Sequence, residues 1–396
     1  MSTAPVLIAA GGTGGHIVPA LAVAEVLAAR GVPVVWIGTR TGLEARMVPA
    51  AGIDIRWIDI TGLRGKGLVD TVSGPPRLVR ACLQSLALVR SLRPRAVLGM
   101  GGFVSGPVGL AALALRRPLV LHEQNAVPGL TNRRLARFAS HVFGAWPGAF
   151  PERVGARVVG NPVRRDVARL AARAEPASRE RATVGAEDGG APPLRVLVVG
   201  GSRGARVLNE TVPAAVRALG LPLRVRHQTG AAEEAAVRAR YAGVSTETAE
   251  ITVEPFIEDM AAAYLGADVV VCRSGAMTVT ELAALGMPSI LVPYPHAVDD
   301  HQSANARHLA DTGAAVLMPQ PELTPDTLAA VLGRLAGDRA TLARMGVAAR
   351  DAFRAGAAEA VADALTGEGV EEGAARGPSL SAAHARAGRD GAEGAR

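Results

Sequence analysis

Short apolar runs alternate with longer amphipathic stretches along most of this 396-residue chain. The apolar runs have the length of buried strands and include "PVLIAA", "VPVVWIG", "RAVLGM" and "PLVLHE". The stretches between them, such as "PALAVAEVLAARG" and "GPVGLAALALRR", predict helices. Alternation of this kind is typical of an α/β domain, a parallel sheet with helices on both faces.

A second series of the same kind follows, with "LRVLVVGGSRGARVLNE", "ADVVVCRSGAMTVTELAALG" and "MPSILVPY". Each series opens with a strand, a glycine-rich loop and a helix, and repeats that unit roughly 75 to 90 residues later. We therefore expect two doubly wound parallel-sheet domains, 1–160 and 161–340, that face each other across a cleft. Ligands of such sheets bind at the carboxyl ends of the strands, so the glycine-rich loops should open toward this cleft.

Three further segments have their own character. Segment 172–193 is rich in Pro, Gly, Ala and charged residues, which predicts a linker or surface insertion. Segment 341–366 is expected to form a C-terminal helix that returns to the first domain. The tail 367–396 has almost no large apolar residue and is expected to be disordered.

Composition narrows the function classes. The net charge of +7 comes almost entirely from arginine, and only 12 residues are aromatic, without the interleaving of aromatic and basic residues that stacks bases. We therefore exclude nucleic acid as a partner, while anionic lipid or phosphate stays open. Cys82 and Cys272 form no C-x-x-C pair, which favours a reduced cytosolic protein.

Two features bear on membranes. The charge-free run Ala96–Leu115 contains Ser105, Pro107 and several glycines, so we interpret it as strand, loop and helix rather than a membrane span. Pro76–Arg93 predicts an apolar helix with arginines near its ends. Packing on a sheet is the favoured interpretation of that helix, and contact with a membrane interface is the minority one.

The loop "GGTGGH" fits neither common nucleotide motif, because no lysine follows it and Ile17 stands where a Rossmann loop has its third glycine. A second loop, "GMGGFVSGP", also joins a strand to a helix. Either loop alone could be a tight turn. Together they favour a diphosphate held by backbone N–H groups and helix N-termini, with the candidates Gly12, Gly101, Gly102 and Ser105.

Polar side chains at the ends of other strands and helices are further candidates. "HEQN" (His122–Asn125) is either a satisfied polar loop or part of the cleft. His16 is a candidate general base, although a lone histidine is more often structural. Thr278 and Glu281 have the spacing of a helix capping box, and a carboxylate bound to nucleotide ribose is an equally supported interpretation.

Metal binding is not indicated by these residues. "YPHAVDDHQSANA" matches no standard zinc spacing, and the chain contains no D-x-D. Gln302 and Asn305 would share one helical face in a metal-free polar site.

Seven motifs, in this order between Val6 and about Phe353, resemble the MurG family of bacterial cell-wall synthesis: "GGTGGH", "GMGGFVSGP", "LHEQN", "GNPVR", "VVGGSRGA", "FIEDM" and "CRSGAMTVTELAALG". That family transfers N-acetylglucosamine (GlcNAc) from UDP-GlcNAc to lipid I. The resemblance implies the two-domain GT-B fold, with the UDP-sugar held mainly by the second domain and the lipid-linked acceptor by the first.

Matched position by position, the resemblance implies these UDP-GlcNAc contacts: Thr13, Gly14, Gly15, Asn125, Arg164, Ser202, Ile257, Ala276, Met277, Thr278, Val279, Thr280, Glu281 and Gln302. In the family, the glutamate that matches Glu281 binds ribose, and the backbone at Ile257 would read uracil. His16 matches the histidine usually proposed as general base. Arg203 departs from the family, which has glutamine after the loop serine.

The implied chemistry is an inverting displacement, in which the C4 hydroxyl of the acceptor's N-acetylmuramic acid (MurNAc) attacks the anomeric carbon and UDP leaves. Helix N-termini and loop amides would compensate the diphosphate charge, so no metal or other cofactor is expected. The implied partners are UDP-GlcNAc, lipid I and the membrane surface, with other cell-wall synthesis proteins as further candidates. The enzyme would be peripheral, on the cytoplasmic face of the cell membrane.

Two alternatives stay open. One is another UDP-sugar enzyme of similar fold, such as a 2-epimerase or a transferase with a soluble acceptor. The other is a sugar-nucleotide-binding protein without turnover. Two glycine-rich anion sites in the first domain favour the diphosphate-linked acceptor over the first alternative. The second alternative predicts UDP-GlcNAc binding without turnover.

Overall fold

Two parallel sheets account for all the strands in the part of the chain that the structure describes. This computed structural model describes residues 4–60, 68–173, 192–201, 204–244 and 249–368. The first sheet contains β1 (Val6–Ala9), β2 (Val34–Gly38), β3 (Asp54–Trp57), β4 (Ala96–Gly99), β5 (Leu119–Glu123), β6 (His141–Gly144) and β7 (Arg157–Val158). Its helices are α1 (Gly14–Ala29), α2 (Glu44–Ala50), α3 (Leu68–Leu92), α4 (Gly102–Ala114) and α5 (Leu130–Leu135).

The second sheet contains β8 (Leu194–Val199), β9 (Leu223–Gln228), β10 (Ala249–Glu254), β11 (Val269–Cys272), β12 (Ser289–Leu291) and β13 (Ala315–Leu317). The remaining helices are α6 (Arg165–Arg173), α7 (Arg206–Leu219), α8 (Glu234–Tyr241), α9 (Met260–Leu265), α10 (Ala276–Ala284), α11 (His301–Ala310), α12 (Pro325–Gly337), α13 (Arg339–Asp351) and α14 (Ala357–Thr366).

Strand β1 shows why these apolar runs form a central parallel sheet. All four of its residues are buried; Val6 and Ile8 pack into the core on one face, and Leu7 and Ala9 pack into the core on the other. A strand covered by helices on both faces has no polar side, so its sequence is continuously apolar rather than alternating. Strand β11 follows the same rule in the second sheet.

The strand order places the glycine-rich loops at one point of each sheet. The first sheet has the order β3-β2-β1-β4-β5-β6-β7 and the second β10-β9-β8-β11-β12-β13, with parallel pairing throughout. The order reverses direction between β1 and β4, and again between β8 and β11. Ligands of doubly wound sheets bind in the crevice at this switch point. The four glycine-rich loops follow those four strands, so the predicted fold is confirmed.

The last helix, α14, packs on the first domain although it follows the second in sequence. Val361 and Leu365 lie in the same core cluster as β1 and α1. Arg30, the C-cap of α1, donates to Asp363 at 2.7 Å, and Arg95 donates to the carbonyl of Thr366 at 2.9 Å.

Several segments named above fall partly or wholly beyond the described ranges. The predicted insertion 172–193 lies mostly there, and its first two residues end helix α6. Residues 369–396 of the tail also lie outside. Ala96–Leu115 consists of β4, the glycine loop and α4. None of the helices in the described ranges is both long and apolar enough to cross a membrane.

Candidate active site

The two glycine-rich loops of the first domain lie directly against each other. A Cβ atom on Gly102 would lie 2.6 Å from the carbonyl oxygen of Gly11, so this close approach requires glycine. Gly101 is the N-cap of α4 and has a φ of 89°, a conformation that strains other residues. The two loops therefore form one continuous wall rather than two separate turns.

A cavity of about 810 Å³ lies between that wall and the second domain. Its volume is typical of small-molecule sites. The first domain contributes Gly12, Thr13, Gly14 and Leu43 to its lining. The second contributes residues that include Ala205, Arg206, Gly275, Thr278 and Gln302. The cavity thus opens at the carboxyl ends of both sheets.

Three helix N-termini, those of α1, α7 and α10, border this cavity. In α10 the first backbone bond within the helix runs from Val279 N–H to Gly275, so the amides of Ala276, Met277 and Thr278 have no partner inside the helix. In α7 the corresponding first bond runs from Asn209 to Ala205. Unused amides and aligned helix dipoles at one cavity make a site for an anion such as a diphosphate.

His16 is half-buried in the first turn of α1, beside the second glycine loop. Its Nδ1 lies 3.0 Å from Oε1 of Gln124. A Cβ atom on Gly101 would lie 3.1 Å from Cε1 of the imidazole, so the ring rests on the glycine backbone. Thr13 and Gly14 line the cavity, and His16 lies behind them, beside the lining rather than in it.

Some of the "HEQN" side chains belong to a satisfied polar loop, and others contact residues at the cleft. Glu123 is a satisfied loop group, because its carboxylate accepts from the N–H of Gly129 at 3.1 Å and from Nδ2 of Asn132 at 2.9 Å. Gln124 is also buried, yet it contacts His16. Asn125 donates to Glu123 at 3.2 Å and accepts from Asn305 at 3.2 Å, so its predicted contact with the donor competes with both bonds.

Glu44 is a buried acid that the sequence reasoning missed. Its Oε1 accepts from the N–H and the hydroxyl of Thr39, at 3.0 and 2.7 Å, and its Oε2 accepts from Gly12 N–H at 3.2 Å. A Cβ atom on Gly11 would lie 2.8 Å from this carboxylate. Glu44 therefore supports the first glycine loop from behind. The sequence signal that could have identified Glu44 is the pair of polar residues, Thr39 and Glu44, that follows an apolar strand.

Two of the four acceptor-diphosphate candidates are engaged elsewhere. The N–H of Gly12 already donates to Glu44. The buried hydroxyl of Ser105 lies within hydrogen-bond distance of the carbonyls of Ala9 and Gly101, at 2.7 and 2.6 Å. Ser105 therefore fixes α4 to β1 instead of facing a ligand. Gly101 and Gly102 keep their place at the N-terminus of α4.

The capping-box interpretation of Glu281 is wrong. The N-cap of α10 is Gly275, and Thr278 and Glu281 lie one turn too far into the helix to cap it. Instead the carboxylate of Glu281 accepts from Arg164 at 3.2 Å and from the hydroxyl of Tyr264 at 3.3 Å. Burial raises the pKa of Glu281, and the Arg164 guanidinium opposes that shift.

The predicted run from Ala276 to Glu281 also divides in two. Its first three residues have backbone amides without a partner inside the helix. The side chain of Val279, by contrast, is fully buried in the apolar core of the second domain. Thr280 donates to the carbonyl of Ala276 at 2.9 Å and accepts from Asn161 at 2.9 Å. Val279 and Thr280 thus support the helix and the domain interface, and of the six residues only Thr278 is part of the cavity lining.

The other predicted donor contacts lie in several places. Gln302 lines the cavity and accepts from Tyr294 N–H at 3.0 Å. Gly15 follows Gly14 in the first turn of α1. The side chain of Ile257 is buried in the apolar core of the second domain. Ser202 lies outside the described residues, as does Arg203.

"GNPVR" forms the connection between the domains. Asn161 donates to the carbonyl of Gln124 in the first domain at 3.1 Å and to Thr280 in the second at 2.9 Å. Asn305 adds a second link, since its Oδ1 accepts from Ala126 N–H at 2.8 Å. Sequence reasoning placed Asn305 on a polar helical face but missed Asn161. Within the described ranges, no three His, Cys, Asp or Glu side chains come together to hold a metal ion.

Comparison with known proteins assigns both halves of the chain to one family. Residues 6–144 match the glycosyltransferase family 28 N-terminal domain, and residues 195–362 match the C-terminal domain of that family. A protein of Alkalilimnicola ehrlichii is 53% identical over 364 residues, 91% of this chain and 98% of that protein. A protein of Aeromonas hydrophila is 52% identical over 359 residues, 90% and 95% respectively. Both are UDP-N-acetylglucosamine--N-acetylmuramyl-(pentapeptide) pyrophosphoryl-undecaprenol N-acetylglucosamine transferases.

The crystal structure of MurG from Acinetobacter baumannii superposes with a TM-score of 0.78 at 41% identity, covering 91% of this chain and 99% of that one. This chain belongs to the MurG family. The family resemblance read from the seven motifs is thereby confirmed, and so is the GT-B fold of two facing α/β domains. In this MurG family member, the cavity lies where the two halves of family 28 meet.

Proposed function

We propose that this chain transfers GlcNAc from UDP-GlcNAc to the C4 hydroxyl of MurNAc in lipid I, giving lipid II for peptidoglycan synthesis. The observation that carries the proposal is about 50% identity over 90% of the chain to transferases with that donor and acceptor in their names. The 810 Å³ cavity between the domains has the size and the anion-binding helix ends that a UDP-sugar requires.

The diphosphate of the donor binds at the N-termini of α10 and α7. The amides of Ala276, Met277 and Thr278 point toward it, and the dipoles of both helices stabilise the negative charge that grows as UDP leaves. Glu281 accepts from ribose hydroxyls by exchanging part of its bonding with Arg164. This arrangement needs no divalent cation, and an EDTA arm in the assay tests that point.

His16 acts as the general base. It takes the proton of the acceptor's C4 hydroxyl while that oxygen forms a bond to the anomeric carbon and the bond from that carbon to the UDP oxygen breaks. The carbon inverts, so the α-linked donor gives a β-linked product. The acceptor's own diphosphate lies at the N-terminus of α4, over Gly101 and Gly102.

The first domain docks on the cytoplasmic face of the cell membrane. Val79 and Leu83 of α3 and Phe138 after α5 are large apolar side chains that are 59%, 62% and 55% exposed. Arg133 and Arg134 are exposed on α5. Helices α3 and α5 both pack against α4, and exposed apolar and basic side chains on such helices suit an anionic lipid surface.

The test is incubation of the full chain with labelled UDP-GlcNAc in three arms: a lipid I analogue, MurNAc-pentapeptide without the diphosphate, and no acceptor. We expect labelled disaccharide-lipid only in the first arm, with or without EDTA. Equal transfer to the soluble acceptor would favour a soluble-acceptor transferase, and label in N-acetylmannosamine would favour a 2-epimerase. Donor binding without product in any arm would favour a binding protein.

A further inference from the structure

A row of hydrogen bonds runs from the domain connection to His16. The carbonyl of Gly160 lies 2.9 Å from Nε2 of His122. Nδ1 of His122 lies 3.2 Å from Nε2 of Gln124, and Oε1 of Gln124 lies 3.0 Å from Nδ1 of His16. The donor and acceptor at each step can be assigned from the chemistry of the groups.

The amide of Gln124 has only one possible orientation. Its Nε2 is surrounded by acceptors: the carbonyl oxygen of His122 at 3.2 Å, Nδ1 of His122 at 3.2 Å and Sδ of Met100 at 4.0 Å. A carbonyl has no proton to donate, so an amide oxygen at this position would face another oxygen. The NH₂ group therefore points to His122, and Oε1 points to His16.

The tautomer of His122 agrees with this orientation. The carbonyl of Gly160 can only accept, so Nε2 of His122 carries a proton. Burial lowers the pKa of His122 to about 4, so the ring is neutral near pH 7 and its Nδ1 is an acceptor. Nδ1 then receives the hydrogen bond from Gln124.

The backbone keeps Gln124 in place. Its carbonyl accepts from Nε1 of Trp146 at 3.1 Å and from Nδ2 of Asn161 at 3.1 Å. The residue is only 1% exposed, so bulk water does not reach its side chain. An amide flip would break the bonds at both of its ends.

We propose that Gln124 and His122 are positioning residues that hold His16 in the Nδ1–H tautomer and leave the lone pair on Nε2. This inference rests on the proposed function, in which His16 removes the acceptor's proton. Oε1 of Gln124 accepts from Nδ1–H before and after that transfer, so the proton arrives on Nε2 and Nδ1 keeps its own. Neutral imidazole in water favours the opposite, Nε2–H tautomer, which offers no base at Nε2.

The test is ¹⁵N NMR of the full chain labelled at its histidine ring nitrogens, at about pH 8, where an ordinary histidine is neutral. His16→Ala assigns the His16 signals. We expect Nδ1 of His16 to be protonated and Nε2 to carry the lone pair, with the reverse pattern at His122. A wild-type spectrum with the His16 proton on Nε2 overturns the proposal.

A pair of variants extends the test. Gln124→Met keeps the volume but removes Oε1, and we expect His16 to move toward the Nε2–H tautomer while turnover falls about 100-fold with the donor KM unchanged. Gln84→Met, at a half-buried glutamine of α3 bonded to Asp59, is the control and should keep both tautomer and turnover. An unchanged tautomer in Gln124→Met contradicts the proposal. The spectra need no substrate, so failure of transfer would count against the proposed function alone.

Discussion

Arg164 and Glu281, 117 positions apart in the sequence, form an ion pair between the segment that connects the domains and helix α10, with Nη2 and Oε1 3.2 Å apart. Arg164 belongs to the segment that connects the domains, and Glu281 lies on α10, whose N-terminus borders the cavity. Both residues are expected to contact the donor, and without a donor they bind each other. In the proposed function, donor binding and the anchoring of the connecting segment share one carboxylate.

Glu281→Gln separates these two roles. The amide keeps an oxygen for Arg164 or Tyr264 and the volume of the side chain, so we expect the free energy of unfolding to change by no more than about 1 kcal/mol. Loss of a charged acceptor for ribose costs about 1.5–3 kcal/mol, so donor affinity should fall about 10- to 100-fold. Calorimetric titration with UDP-GlcNAc and thermal unfolding measure the two effects.

Tyr264→Phe is the matched control, because it removes the hydroxyl that donates to Glu281 at 3.3 Å and leaves the carboxylate of Glu281 unchanged. It should keep donor affinity. If Glu281→Gln binds the donor normally and melts at a lower temperature, Glu281 anchors the connecting segment and does not bind the donor.

Glu44→Gln should weaken the first glycine loop. The amide oxygen can still accept from Thr39, but the NH₂ end would then face Gly12 N–H, donor against donor. An unsatisfied buried donor costs about 1–3 kcal/mol, which urea unfolding would show. Turnover should also fall, because this loop leads into His16. Glu25→Gln on the exposed face of α1 is the control. Equal stability of the two variants would show that Glu44 does not stabilise the first glycine loop.

Two buried histidines should make the fold sensitive to acid. Burial lowers the pKa of His122 to about 4 and that of His227 to about 3. The unfolded chain takes up these protons near pH 6.5 and the folded chain does not, so stability is lost as the pH falls from 6.5 toward 4, by about 3 kcal/mol per histidine.

His227→Gln isolates the contribution of one histidine, because His227 is buried on β9 in the second domain, is bonded to Tyr241 and Asn209, and is not part of the cavity lining. Urea unfolding across that range should give a shallower pH dependence for the variant than for the parent. Identical slopes would show that His227 takes up its proton in the folded state as well.

Leu83→Glu should reduce membrane binding. It places a carboxylate on the apolar, exposed face of α3, opposite the buried face formed by Ala81, Ser85 and Val89. Co-sedimentation with vesicles that contain phosphatidylglycerol should fall several-fold, with transfer to a detergent-soluble acceptor retained. Val347→Glu, 47% exposed on α13, is the control. Equal loss in both variants would rule out a specific docking face.

The fold could be predicted from the sequence because continuously apolar strands such as β1 are typical of a parallel sheet covered by helices on both faces. The glycine loops also mark the switch points of both sheets. The same holds for the amides of α10, whose position follows from a strand, a short loop and a helix. These features depend on neighbours in the sequence.

The partners of buried polar side chains could not be predicted in this way. Glu44 reaches Gly12, Gln124 reaches His16 and Asn161 reaches Thr280, over sequence separations of 32, 108 and 119 residues. Spacing contains no information about such contacts. The T-x-x-E pattern at Thr278 shows the converse, since it is correct for a capping box but α10 begins at a different residue.

In the proposed function, this cleft transfers GlcNAc by one inverting displacement. The most direct measurement is the anomeric configuration and linkage of the bond formed by the purified full chain from UDP-GlcNAc and a lipid I analogue, read by NMR of the isolated product. We expect a single β-linked GlcNAc on the C4 oxygen of MurNAc. An α-linked product, attachment at another oxygen, or no disaccharide at all would contradict it.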